Sequence, residues 1–126
     1  MPKSVPPITH GPKPVGPYSV ATEANGFVFV SGQVAFDPAT HTRVDGAAAA
    51  EAQRVMTNIG MILGDLGLGY DDIVKTSIFL IDITDFAAVN EVYGRFFTGP
   101  PPARSTFQVA ALPVGFKIEI EVIAAR

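Results

Sequence analysis

Strand-like stretches and two helix-period stretches alternate along this chain. Phe27-Val28-Phe29-Val30-Ser31-Gly32-Gln33 is rich in strand formers and follows the turn dipeptide Asn25-Gly26. Pro17 to Ala21, just before it, reads as a short edge strand, and Phe36 to Asp45 as a loop. Asp45 is placed to cap a long helix, in which Val55, Ile59, Ile62, Leu63 and Leu66 recur at i, i+4, i+7, i+8 and i+11 as one buried face. Gly67 and Gly69 stop that helix. They do not form a phosphate loop, because they follow a helix C-terminus, which repels anions. Ile73 to Ile81 is the next strand, with Val74, Thr76, Ile78 and Leu80 on one side. Thr84 or Asp85 then caps a second helix with an apolar stripe of Phe86, Val89, Tyr93, Phe96 and Phe97. After the Pro-rich break Thr98 to Pro102, Arg104 to Val109 and Lys117 to Ala124 complete the chain as strands, joined through Leu112 to Gly115.

The resulting order, β-β-α-β-α-β-β, predicts an α+β fold: one sheet with both helices on the same face. Alternation within strands sets what the other face shows. Ile118, Ile120 and Val122 are expected to face the helices, leaving Lys117, Glu119 and Glu121 opposite. Phe107 and Val109 are expected inward, with Arg104, Thr106 and Gln108 on the open side, and Phe29, Ser31 and Gln33 are expected to share a face. That open side mixes charged and apolar groups, as a wet subunit interface does.

Composition sharpens this picture. The 126 residues form one domain, 1–126, with no repeat and no dividing linker. Apolar residues make up 48% and mean hydropathy is +0.30, high for a small monomer, so part of the apolar surface is expected to be covered by another subunit. No run approaches the ~20 apolar residues of a membrane span, and the proline-rich start does not read as a secretory signal. With no cysteine there is no disulfide, thiol nucleophile or zinc cluster, and a cytoplasmic location follows as the simple expectation. A net charge of −3 argues against nucleic acid as a partner, since that affinity comes largely from neutralising phosphates.

The candidate chemistry is sparse. Glu119 and Glu121 stand two apart on one strand, either as a solvated face or as a general acid/base beside a cationic anchor. Arg104, on a neighbouring strand, is either that anchor for a small carboxylate or an ordinary surface ion-pair residue. His10 and His41 have no metal-ligand spacing, so no metal site is expected, and a two-histidine ribonuclease would need both brought together. Ser31 lacks a nucleophile-elbow context, Tyr18 reads as a half-buried aromatic, and Asn90 as a helix-surface amide. These readings do not name a reaction.

Taken in order, Gly16-Pro17-Tyr18-Ser19, Ser31-Gly32-Gln33, Asp72-Ile73-Val74-Lys75-Thr76, Asp85-Phe86 to Asn90, Pro102-Ala103-Arg104-Ser105 and Lys117-Ile118-Glu119-Ile120-Glu121 resemble the RidA/YjgF family over almost the whole chain. The resemblance implies a chorismate-mutase-like fold and a homotrimer whose sheets form a central barrel, with clefts between subunits. It implies hydrolysis of reactive 2-imino or enamine acids (2-aminoacrylate/2-iminopropanoate and 2-iminobutanoate) to 2-oxo acids and ammonia, without a cofactor. Carried over by motif, Glu119 activates water and shuttles protons, and Arg104 binds the substrate carboxylate. Tyr18, Ser31 and Asn90 line the cleft, and backbone groups near Gly32 and Thr106 contact the ligand. Thr106 stands where many members carry cysteine, and the loops 40–46 and 98–102 depart from the family pattern. Two other functions compete: an endoribonuclease or translation inhibitor, and a noncatalytic ligand-binding or chaperone-like trimer. The acidic charge argues against the first. The presence of both Arg104 and Glu119 argues against the second, because holding a carboxylate needs only the arginine.

Overall fold

In the computed structural model, which describes residues 2–126, Asn25 and Gly26 form a two-residue turn with φ of 53° and 80°. This left-handed pair suits the twist of a tight hairpin. It joins β1 (Ala21–Ala24) to β2 (Phe27–Gln33). The edge strand therefore starts at Ala21, later than the expected Pro17, and the prolines before it lie outside the ladder. The expected loop after β2 contains a small hairpin, β3 (Phe36–Asp37) with β4 (Thr42–Arg43).

α1 spans Ala48–Asp65, and Val55, Ile59, Ile62, Leu63 and Leu66 are all buried, as the spacing predicts. Asp45 does not cap it: the helix starts after Ala47 without a side-chain cap, while Asp45 pairs with Arg43 at 3.2 Å. Gly67 ends it at φ 73°, and the Leu68 amide donates to the Leu63 carbonyl at 2.8 Å. β5 (Ile73–Leu80), α2 (Phe86–Gly94), β6 (Ala103–Gln108) and β7 (Ile118–Ala125) follow. The cap before α2 is Asp82, whose carboxylate accepts from the Thr84 amide at 2.9 Å. It opens a short 3₁₀ turn, while Asp85 holds the N-cap position of α2, as expected of Thr84 or Asp85, without a capping hydrogen bond from its side chain.

The main sheet runs β1-β2-β7-β5-β6, with the β5–β6 pair parallel and the rest antiparallel. α1 crosses β2 and β7, and α2 packs beside α1. Val28, Val30, Ile78, Leu80, Ile118, Ile120 and Val122 are buried beneath the helices. Each such side chain contributes roughly 1.5–3 kcal/mol on burial.

Two bulges overturn parts of the simple alternation. On β5, Ile73 pairs Ala124 and Lys75 pairs Ile123, so an extra residue turns Ile73 inward and leaves Val74 exposed. On β2, Val30 pairs Val122 and Gln33 pairs Ile120, so Ser31-Gly32 bulges and Gln33 turns into the buried face, away from the side that carries Phe29.

The face assignment of β6 is reversed as well. Thr76 pairs Arg104 and Ile78 pairs Thr106, and the buried Thr76 and Ile78 face the helices, so Arg104 and Thr106 face them too. Phe107 pairs Phe79 on the open side and is 56% exposed. The final strand behaves as expected, with Glu119 and Glu121 opposite the helices.

Buried polar groups tie the core to the segments that carry chemistry. Asn58 donates to the Phe36 carbonyl at 2.7 Å and accepts from Arg54 at 3.0 Å. Glu51, 1% exposed, accepts from the Lys117 amide at 2.9 Å and so fixes the start of β7 two residues before Glu119. Asp65 straps down the arm that precedes β1, accepting from the Thr9 amide at 2.9 Å, the His10 amide at 2.8 Å and the His10 ring. Burial alone would raise the Asp65 pKa, but these bonds outweigh it and hold the carboxyl well below its usual range.

Candidate active site

Glu119 stands in the middle of β7 on the open face, opposite Phe79 of β5. The bulge brings Gly32 against it. A methyl on Gly32 would lie 2.2 Å from Glu119 Oε2, so only glycine permits this approach. The bulge is held by Ser31, whose hydroxyl donates to the Ser19 carbonyl at 2.7 Å and whose amide donates to Val20 at 2.9 Å. Tyr18 follows from the arm, 46% exposed, with its hydroxyl accepting from the Val15 amide at 3.3 Å. Tyr18, Ser31, Gly32 and Glu119 border one cavity of about 490 Å³, which Phe36 and Phe116 close on its apolar side.

Among the described residues, no protein group donates a hydrogen bond to the Glu119 carboxylate. Burial pushes its pKa above the ordinary carboxylate value, and the neighbouring charge of Glu121 adds to the rise. A half-buried carboxyl beside water-sized space, with its proton affinity raised, can donate a proton and then accept one.

Arg104 is elsewhere. Its strand is separated from β7 by β5, which at a strand spacing of ~4.8 Å makes roughly 10 Å, and the two side chains leave opposite faces of the sheet. Arg104 lies against α2. Nη1 donates to Asn90 Oδ1 at 2.7 Å, and the guanidinium carbon sits 5.3 Å from the Phe86 ring centroid and 5.2 Å from that of Tyr93. Tyr93 is fixed by a buried 2.8 Å hydrogen bond to Thr76. Burial raises the Tyr93 pKa, so the phenol is neutral at physiological pH. The ion pairs among the described residues do not include Arg104. Two residues along the strand, Thr106 Oγ1 is buried without a hydrogen-bond partner.

The seven candidates thus fall into two groups: Tyr18, Ser31, Gly32 and Glu119 at the cavity, and Asn90, Arg104 and Thr106 at the α2–β6 edge. The expectation that Arg104 and Glu119 share the open face of the sheet is overturned, because the face assignment of β6 was inverted. Sequence reasoning also missed the contacts of Phe86 and Tyr93 with Arg104. Their spacing from Asn90, at i, i+4 and i+7 on α2, was a signal that could have found them.

The acid thus stands on the open face of the central strand and the cation under α2 at the β6 edge, in a chain with clear relatives. The family model described as Endoribonuclease L-PSP matches residues 8–126. Protein DfrA of Myxococcus xanthus is 53% identical over 115 residues, spanning 90% of this chain and 88% of its own. The mouse 2-iminobutanoate/2-iminopropanoate deaminase is 42% identical over 118 residues, spanning 94% and 87%. The crystal structure of RidA from an Antarctic Psychrobacter superposes with a TM-score of 0.89 at 41% identity, covering 93% of this chain and 94% of that one. The chain belongs to the RidA/YjgF family, the same family that carries the endoribonuclease description.

Proposed function

We propose that the protein is a hydrolytic deaminase of 2-imino and enamine acids, acting as a homotrimer in which Glu119 of one subunit meets Arg104 of the next. The observation that carries this reading is the separation of an unpaired cation and an unpaired acid onto opposite faces of one sheet. Each half lacks what the other has, and a cyclic, head-to-tail assembly joins them at every interface. The open face supports assembly as well: Phe27, Phe29 and Phe107 are 44%, 42% and 56% exposed in a lone subunit, next to the partly covered Phe79 and Ile123. A second copy of the chain, presenting the same aromatics, is the natural cover. The deaminase names of the mouse and other mammalian relatives support the reaction.

The chemistry asks little of the protein. The carbon of an imine is already electrophilic, so orientation and one acid–base group suffice. Arg104 holds the substrate carboxylate. Glu119, protonated, gives its proton to the imine nitrogen, or to the terminal carbon of an enamine to form the imine. The resulting carboxylate takes a proton from water as the water oxygen bonds to C2. Glu119 then protonates the nitrogen of that adduct, the C–N bond breaks to release ammonia, the adduct's hydroxyl gives its proton back to Glu119, and a 2-oxo acid remains. Tyr18 and Ser31 shape the cavity, Gly32 and Thr106 offer backbone groups, and Asn90 serves Arg104.

The test couples the purified protein to a pyridoxal-phosphate dehydratase acting on serine or threonine and follows imine loss. Added protein is expected to shorten the imine lifetime at sub-stoichiometric amounts. An unchanged lifetime with both precursors, from a preparation that is trimeric by light scattering, contradicts the assignment.

A further inference from the structure

Salt bridges are the usual way to hold an arginine still, and among the described residues none holds Arg104. The Arg104 guanidinium touches three side chains of α2, all from one helical face: Phe86, Asn90 and Tyr93. None of the three carries charge. Two present the negative faces of aromatic rings, and one presents an amide oxygen. Tyr93 is itself locked to the core through Thr76, which anchors one side of this arrangement to the centre of the sheet.

We propose that Phe86, Asn90 and Tyr93 are positioning residues that form a neutral cradle, fixing the direction of Arg104 while leaving its charge available to an anion. This rests on Arg104 as the carboxylate anchor proposed above and adds the reason why α2 supplies no acid there. A carboxylate in the place of Asn90 would orient the guanidinium equally well, but it would occupy its donors and cancel its charge, and the substrate would have to compete with it. The cradle avoids that competition: ring faces and an amide dipole hold the cation and leave its outer N–H groups free. Asn90 thereby acts through Arg104 instead of contacting the reacting atoms.

The experiment is titration calorimetry with pyruvate and 2-oxobutanoate on the assembled protein, alongside melting curves and steady-state kinetics. Asn90→Asp keeps the shape and adds the competing charge, and is expected to weaken 2-oxo acid binding on the order of 10-fold or more, with KM raised in parallel. Tyr93→Leu removes a ring and is expected to weaken binding about 2- to 30-fold. Tyr93→Phe keeps the ring but strands the Thr76 hydroxyl, so it should lower the melting temperature while weakening binding less than Tyr93→Leu does, a split that a merely structural role would not give. Arg104→Ala serves as the reference. Wild-type or tighter affinity in Asn90→Asp, while Arg104→Ala loses binding, overturns the cradle alone. Wild-type affinity in Arg104→Ala overturns the anchor reading beneath it. If Tyr93→Leu fails to fold, Asn90→Asp decides.

Discussion

Glu119→Gln is expected to lower turnover about 10²–10⁴-fold, the usual range for removing a general acid–base group, while the assembly and its affinity for 2-oxo acids survive. The amide keeps the shape of the carboxyl beside Gly32 but neither gives nor takes a proton at the reacting centre. Stability should move the other way. Burial and the Glu121 charge raise the folded-state pKa of Glu119, so the ionised form is disfavoured in the folded protein relative to the unfolded chain at neutral pH. Glutamine removes that penalty. The variant should therefore melt at or slightly above wild type at pH 7, and the difference should vanish as pH falls below the ordinary glutamate value of about 4.3, where both states hold the proton. Glu121→Gln takes away a repelling charge, not the acid–base group, and should leave most turnover in place. Equal losses from the two variants would show that Glu119 is not the proton carrier.

The second large effect belongs to Arg104. Hydrogen bonds to a charged group are worth roughly 1.5–3 kcal/mol each, and losing a bidentate pair lowers kcat/KM by about 10²–10⁴-fold. Arg104→Ala should show that loss together with loss of pyruvate binding by calorimetry. Arg104→Lys should also be strongly impaired. An ammonium cannot present parallel donors to a carboxylate while bonding Asn90, and it stacks less well between Phe86 and Tyr93. Pyruvate binding that persists in Arg104→Ala would mean the carboxylate is held by other groups.

How far the sequence foretold this site can be followed residue by residue. The helical stripe of α1 was legible because its buried positions keep a strict period over four turns, and β7 because Ile118, Ile120 and Val122 alternate without interruption. Misplaced faces arose where the period breaks. The bulge at Ser31-Gly32 inserts residues that alternation does not see, so Gln33 was assigned to the wrong side. On β6 the apolar residue, Phe107, lies on the open face and the charged one, Arg104, beneath a helix, the reverse of the inside–outside rule. Both inversions fall at the candidate site, where Phe107 stays exposed on the open face and Arg104 is gripped by α2. The motifs that carry the family resemblance singled out Arg104 and Glu119 as a pair of interest. What they could not supply was that the two side chains leave opposite faces of the sheet within one chain. The cap of α1 was also misread: Asp45 is a good cap by type, but its carboxylate pairs with Arg43 and the helix starts after Ala47.

The central claim is that every active site takes Glu119 from one subunit and Arg104 from its neighbour, and subunit mixing tests it most directly. Glu119→Gln and Arg104→Ala are each unfolded, combined in equal amounts and refolded into mixed trimers. A site is whole only where an Arg104→Ala subunit supplies Glu119 and a Glu119→Gln subunit supplies Arg104. Random assembly therefore restores about a quarter of wild-type imine hydrolysis from two nearly inactive parents. Activity that stays at the average of the two parents, in mixed trimers verified by mass, would place both residues in one subunit's site and contradict the account.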